Sequence, residues 1–488
     1  VRIFGRQGYG LGIHAVVAAP AVAVGLVLVA AVPASANVAL TRVSADPYSN
    51  ATSQHRSEVE PDTFTFGSTI VSAFQVGRIA NGGGANIGFA TSTDSGASWT
   101  TGFLPNITTV AGGTFAAVSD ASVAFDARHN VWLISSLPIN ANGSAAGVVT
   151  SRSTDGGLSW GNPITTTTGS VDKNWIACDN TAASPFFGTC YTEYDMTSSG
   201  NAIRLRASAD GGLTWGPARA SGDAASGLGG QPVVRPNGTV IMPYLAGNGQ
   251  IRSFRSIDGG ATWRSSVLVT TPTSHVPAGG IRADEPLPSA EVDAAGTVYL
   301  VFQDCRFRTG CPANDIVLSR STSETTWAAP VRVPIDPTTS TADHFVPGIG
   351  VDRGTAGSTA RIGLTYYFYP TANCTAVTCQ LSVGYVSSTN GGASWSPATQ
   401  IAGPMTVSWL PNTTQGRMFG DYISTSVLPG GPAYPVVAVA NAPTGGVLDQ
   451  AMYVPSGGLP VTGGTARAGA GRAAAAGPEQ AVTLHTAR

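Results

Sequence analysis

The sequence predicts an all-β propeller: four-stranded antiparallel blades around an axis, seven by count with six as the alternative, the ring closed by an N-terminal strand. Three observations carry this. An octet recurs as Ser92-Thr-Asp-Ser-Gly-Ala-Ser-Trp99, Ser153-Thr-Asp-Gly-Gly-Leu-Ser-Trp160, Ser208-Ala-Asp-Gly-Gly-Leu-Thr-Trp215, Ser256-Ile-Asp-Gly-Gly-Ala-Thr-Trp263 and Ser388-Thr-Asn-Gly-Gly-Ala-Ser-Trp395, with a shortened copy ending at Trp327. Its Asp suits a side-chain bond to the backbone ahead and its glycines suit positive φ, so it reads as a hairpin turn feeding a strand. The octet tryptophans fall 48 to 68 residues apart, too far for one hairpin and right for one blade of short strands. Finally, charged residues are only 11% of the chain and glycines number 61, which suits short strands and tight turns rather than helices.

The elements follow in order. Residues 1–36 combine Arg2 and Arg6, an apolar run from Ala15 to Ala31 and Pro33-Ala-Ser-Ala36, the pattern of a secretory signal cleaved after Ala36. The remainder is expected to be exported, with no later segment apolar enough to cross a bilayer. Val38 to Ser44 reads as an orphan strand. Blade openings are expected at Glu58-Val-Glu-Pro-Asp62, Asp120 to Asp126, Asp172-Lys-Asn-Trp-Ile-Ala-Cys178, Gly230 to Arg235, Asp284 to Asp293, His344 to Val351 and Gly416 to Ser424. The seventh opening has Ala433 to Ala440 and Gln450 to Val454 behind it and no octet after it. A blade short of its outer strand and an orphan N-terminal strand solve each other's problem, because pairing them leaves no free edge. The propeller thus spans 37–455. From 456 to 488 the chain is Gly- and Ala-rich and is expected to be disordered. Leu459-Pro-Val-Thr-Gly463 matches a cell-wall sorting signal, but the alanine-rich tail behind it, broken by Arg467 and Arg472, is not the greasy stop such a signal needs.

The six cysteines form three close pairs, Cys178 with Cys190, Cys305 with Cys311 and Cys374 with Cys379. Fifteen connectivities are formally possible, yet in an exported chain each pair reads as a local disulfide rather than a metal site. A formal net charge of −2 offers no basic surface for nucleic acid. A monomer is expected, with no cofactor; the Asp-rich loops permit structural calcium without specifying it.

The innermost strand of a blade points its first residues into the channel mouth. The residues at those places are Glu58 and Glu60, Asp120, Asp172 and Lys173, Arg282 with Asp284 and Glu285, Asp343 and His344, and Arg417 with Asp421. Carboxylates at six openings of a charge-poor chain suggest that something binds between them. The alternative is that each Asp caps its own strand-entry turn.

The octet resembles the Asp-box of the bacterial sialidase-like (BNR-repeat) propellers, in which the boxes lie on outer turns and the active site on the axis. The resemblance implies an exo-acting glycosidase: three arginines on a sugar carboxylate, a Tyr nucleophile with a Glu as its base, and an Asp as general acid. On that basis Arg282 and Arg417 are the candidates for carboxylate binding, with Lys173 as a third cation and Asp421 beside them. Asp172 is the candidate general acid, Glu285 the base and Tyr367 the phenol. With two carboxylates doing the work instead, Asp172 and Glu285 are acid and base. The family's Phe-Arg-Ile/Leu-Pro segment does not occur in the mature chain. Two other classes therefore stay open: a propeller that binds glycan or protein without catalysis, and another sugar-active enzyme, an arabinanase-like hydrolase or a polysaccharide lyase using His344 with Tyr367.

Overall fold

A computed structural model describes residues 38–468. The expected signal segment and residues 469–488 lie outside the described residues. Among the described residues, helix is confined to four 3-10 turns of three residues each. The regular structure is otherwise antiparallel sheet, laid down as successive meanders.

The first sheet comprises Glu58–Phe66, Thr69–Arg78, Gly84–Ser92 and Thr100–Phe103, and the second Ala117–Asp126, Val131–Ile139, Gly147–Ser153 and Ile164–Thr168. A single residue pair, Gly84 with Val118, joins them. The third has Asp172–Cys178, Cys190–Met196 and Ala202–Ser208, with Arg219 bonding Leu205 at its outer edge. The fourth holds Val233–Val234, Val240–Ala246, Ile251–Ser256 and Val267–Thr270, and the fifth Ser289–Val292, Val298–Asp304, Asp315–Ser321 and Val331–Arg332. Asp343–Val351, Ile362–Tyr369, Gln380–Ser388 and Thr399–Thr406 form the sixth. These strands read as continuous apolar runs because both faces are covered: Ile70, Val71, Ala73, Phe74 and Val76 are all buried.

The seventh group differs from expectation at its start. Gly416–Arg417 pairs with Asn412–Thr413 instead of opening a sheet, and the inner strand begins only at Thr425–Val427, paired with Ala433–Pro435. Behind it Val437–Thr444 pairs with Val447–Pro455, and Leu40–Arg42 adds on the outside with Thr41 opposite Val454. The orphan N-terminal strand therefore completes the last sheet. Ser44 fixes its end, donating to the Glu58 carboxylate, while the Met452 amide donates to Ser44 Oγ at 2.8 Å.

The first strands of these sheets touch one another in chain order, and that of the seventh returns to that of the first. The octets tie neighbours together on the outside. Each uses one network: Ser153 Oγ donates to Asp155 (2.7 Å) and accepts from the Gly157 amide (2.9 Å), and Asp155 accepts from the Ser159 amide (3.0 Å). The same bonds recur at Ser92, Ser208, Ser256 and Ser388. The second glycine of each octet lies against the preceding sheet. Gly157 meets Val71 and Thr91, Gly212 meets Leu133 and Gly260 meets Tyr191, so a side chain there would collide. For the first octet the preceding sheet is the seventh: Gly96 lies on the Tyr434 ring, whose hydroxyl donates to the Ser95 carbonyl at 2.8 Å.

The three expected disulfides, Cys178–Cys190, Cys305–Cys311 and Cys374–Cys379, are formed. Disorder, expected from 456 onward, does not begin there. Leu459 exchanges two backbone bonds with Ala433, both 2.8 Å, Leu459 and Val461 are buried, and Ala466 pairs with Trp395. Two apolar side chains in an otherwise small-residue tail suffice to dock it, and the sorting-like motif is part of that docked segment.

Candidate functional site

Four first strands carry the same irregularity. The register slips between Val59 and Asp62, Ser119 and Ser122, Asp172 and Trp175, and Phe345 and Gly348. At each slip one non-glycine residue takes positive φ: Glu60 (56°), Asp120 (48°), Lys173 (49°) and Val346 (46°). A bulge re-aims a side chain, and a left-handed non-glycine residue is strained, a combination found where the backbone serves a site. Three of these four residues are charged. Glu60 and Lys173 meet Asp421, and Asp120 lies beside Lys173.

Asp421 is the hub. Lys173 Nζ donates to its Oδ2, which also receives Arg282 Nη2 at 2.6 Å and Nε at 3.1 Å. The Glu60 carboxyl adds a further hydrogen bond. Burial alone would raise the Asp421 pKa; Lys173 and Arg282 outweigh it and hold the group well below the usual carboxylate range. Glu60 is the opposite case. Burial first, then the Asp421 charge, pushes it up to about 8, so at neutral pH it carries a proton and can donate. Lys173 loses less by burial than it gains from Asp421 and Asp120, the latter 3.9 Å away, and stays firmly charged.

A network from the second strand supports Glu60. Gln75 Nε2 donates to Glu60 and, at 3.2 Å, to Ser119 Oγ, while Arg78 Nη1 donates to Gln75 Oε1 at 2.7 Å. Arg78 Nη2 reaches Gln415 at 3.0 Å. Glu60, Arg78, Asp120, Asp172, Lys173 and Arg282 line one small cavity. Arg78 Nε and Arg282 Nη1 are buried there without a hydrogen-bond partner.

The predicted residues divide accordingly. Asp172, Lys173, Arg282 and Asp421 come together, and Glu285, buried nearby, acts electrostatically on Arg282. Arg417 does not join them: its Nη1 donates to the Leu410 carbonyl at 2.9 Å, and its backbone bridges to Gly280 and Arg282. Tyr367 is core. It is fully buried, and its hydroxyl donates to the Ala438 carbonyl at 2.9 Å. His344 packs on Tyr366 and Phe368, its neighbours across the pleat, so His344 and Tyr367 form no pair. The tyrosine at the site is Tyr422, with the Lys173 ammonium 5.8 Å from its ring centre, Trp175 edge-on to it at 5.2 Å and its hydroxyl on the Ala121 carbonyl.

Arg78, Gln75, Glu193 and Asp195 are additions that strand-opening positions do not reveal. Asp195 faces Asp172 across the third sheet, and both Glu193 and Asp195 are raised well above ordinary values, by burial and then by the acids beside them. The available signal was Cys190-Tyr-Thr-Glu-Tyr-Asp195, a strand with two acids where burial is expected. A wider cavity of about 410 Å³ opens at the other ends of the first strands, beside Phe64, Phe66 and Pro429. Its charged lining is Arg353 paired with Glu291 at 2.9 Å, and Asp293.

No family model matches the sequence, and no match to a curated protein sequence was found. Among solved structures the chain is similar to a PL25 ulvan lyase, with a TM-score of 0.51 at 11% identity over 86% of this chain and 97% of that one. It is also similar to a protein of unknown function from Dyadobacter fermentans (TM-score 0.44, 17% identity, 71% of this chain and 98% of that one). A third likeness is to the NanB sialidase of Streptococcus pneumoniae (TM-score 0.43, 12% identity, 85% and 70%). The likeness to the lyase, at 11% identity, is one of fold.

Proposed function

We propose that this chain is a secreted carbohydrate-active enzyme on a seven-bladed Asp-box propeller, which binds the carboxylate of an acidic sugar at the axial cavity and hydrolyses its glycosidic bond. One observation carries the reading: Arg78 Nε and Arg282 Nη1, buried donors without partners, belong to guanidiniums that line the same cavity as the protonated Glu60. Two planar cations with spare donors suit a carboxylate, which accepts two parallel charge-assisted bonds. A carboxylic acid with a pKa near 8 suits protonation of a leaving oxygen at neutral pH. In this scheme Glu60 is the general acid, Asp172 the base that activates water, Lys173 and Asp421 fix the constellation, and Glu285 tunes Arg282. Sialidase-like tyrosine catalysis has less support, since Tyr422 donates to a carbonyl and Tyr367 is core.

A second reading is elimination from a uronate. The same arginines would neutralise its carboxylate and acidify the neighbouring C–H, and a lyase of acidic polysaccharide shares the fold. The deciding experiment offers the purified chain an aryl sialoside, aryl uronides and uronate polysaccharides. Leaving-group release abolished by Glu60→Gln supports hydrolysis. Ultraviolet-absorbing unsaturated product supports elimination. Binding of acidic oligosaccharide without turnover would leave only the carboxylate site of this proposal and make the chain a binding module.

A further inference from the structure

Away from the axial cavity, a second group of chemistry-bearing side chains joins the fifth sheet to the sixth. Asp315 begins the strand Asp315–Ser321, Asp336 lies in the linker after Val331–Arg332, and His344 is the second residue of Asp343–Val351. Asp315 and His344 are buried and Asp336 is partly so.

The hydrogen bonds of this group are one-sided. Asp315 Oδ1 takes Arg308 Nε (3.0 Å) and Nη2 (2.7 Å) and Arg332 Nη2 (2.8 Å). Asp336 Oδ1 takes Arg308 Nη2 (3.2 Å) and Arg332 Nη2 (2.6 Å). Both Oδ2 atoms are buried with no hydrogen-bond partner. His344 Nδ1 lies 3.2 Å from the Asn314 carbonyl, which can only accept, so Nδ1 bears the proton and Nε2 presents a lone pair. The ring is held by Tyr366 and Phe368, 5.4 and 5.9 Å between centres. One ligand atom from each of Asp315, Asp336 and His344 lies within 4.8 Å of the other two, and His344 Nε2 is 3.7 Å from Asp336 Oδ2. Three lone-pair atoms thus converge in a buried place with no donor among them. A water has two protons for three acceptors, so a cation is the better occupant.

We propose that Asp315, Asp336 and His344 bind one divalent cation of the zinc type, which ties the fifth sheet to the sixth. Two oxygens and one imidazole nitrogen form a borderline donor set that suits zinc and leaves a position for water. His344 Nε2 and Asp336 Oδ2 are 3.7 Å apart, near the roughly 3.3 Å separating ligands with bonds of about 2.0–2.1 Å on a tetrahedral ion. The outer partners are those a metal site employs: a backbone carbonyl on the far nitrogen of the histidine and guanidiniums on the far oxygens of the carboxylates. The two guanidinium charges weaken binding, so micromolar rather than picomolar affinity is expected.

The test uses the untagged full chain, stripped with a chelator and gel-filtered. Zinc chloride titrated calorimetrically is expected to bind at one equivalent, and cobalt at the same site to give a visible absorption band of nitrogen and oxygen ligation. Zinc should raise the Tm. Asp336→Asn and His344→Gln should each weaken binding at least about tenfold. Failure of the wild type to bind a saturable equivalent overturns the proposal, whatever the variants do. So does one-equivalent binding of unchanged affinity in both variants.

Discussion

At the scale of single residues, the site depends on one carboxylate kept charged and another kept neutral. Asp421 absorbs the charge of Lys173 and Arg282; Glu60, pressed against Asp421 in a dry place, keeps its proton. Glu60→Gln retains a donor but cannot release a proton, so kcat should fall about 10²- to 10⁴-fold with KM little changed. In the wild type the alkaline limb of the activity profile should lie near pH 8, where Glu60 ionises. Arg78→Ala is the complementary case: it removes a substrate contact, and steady-state kinetics should show KM raised about tenfold or more. Much of this site was legible in the sequence. Asp172 and Lys173 sit where an inner strand starts, Arg282 and Asp421 in segments whose composition predicts such a start, and that expected position alone selected them. Arg417 and Tyr367 met the same criterion or lay in an aromatic strand, but their orientations depend on long-range backbone contacts, Arg417 with Gly280 and Tyr367 with Ala438, that no local pattern encodes. Arg78 was missed for the converse reason. It ends a second strand, Thr69–Arg78, and meets the cavity of Glu60 through bonds to Gln75 and Gln415 that no strand-opening position reveals.

Two elements make separable predictions. The strand Glu58–Phe66 carries three buried acids, with Glu58 pushed up to about 7, Glu60 to about 8 and Asp62 to about 7, each chiefly by burial. Between the unfolded values near 4 and these native ones, the native state holds protons that the unfolded chain has lost. This contribution to stability is complete below about pH 4 and is lost as the pH rises through about 7 to 8, each tenfold gain in proton affinity on folding being worth about 1.4 kcal/mol. Tm measured across that window should fall toward the alkaline side, and Glu58→Gln should flatten the slope without touching the axial cavity. The octets predict the reverse separation. Ser153→Ala leaves the Gly157 amide unpaired against the first sheet, so urea denaturation should show a loss of about 1–3 kcal/mol while turnover is unchanged. Strand positions were readable from apolar runs and octets. The displaced start of the seventh sheet was not, because Gly416 to Ser424 has the composition of a strand opening and spends it on lining the site.

On the scale of the whole molecule, the contacts among first strands return to their starting point, and the N-terminal strand closes the last sheet. Met452 and Val454, fully buried under Leu40–Arg42, would be uncovered by a chain beginning at Ala45. Such a chain should lose its cooperative unfolding transition, followed by circular dichroism on heating. A sharp transition at the wild-type Tm would show that the strand is ornament. The docked tail holds the sorting-like motif by two side chains: Leu459, bonded to Ala433, and Val461 are buried, while Pro460, Thr462 and Gly463 are exposed.

Thr41 lies opposite Val454, so the first strand of the described chain and the strand Val447–Pro455 share one sheet. That pairing is the seam of the polypeptide. Splicing the two ends through a short linker and reopening the chain at exposed Gly169, between the second and third sheets, would move the seam without changing a single packing surface.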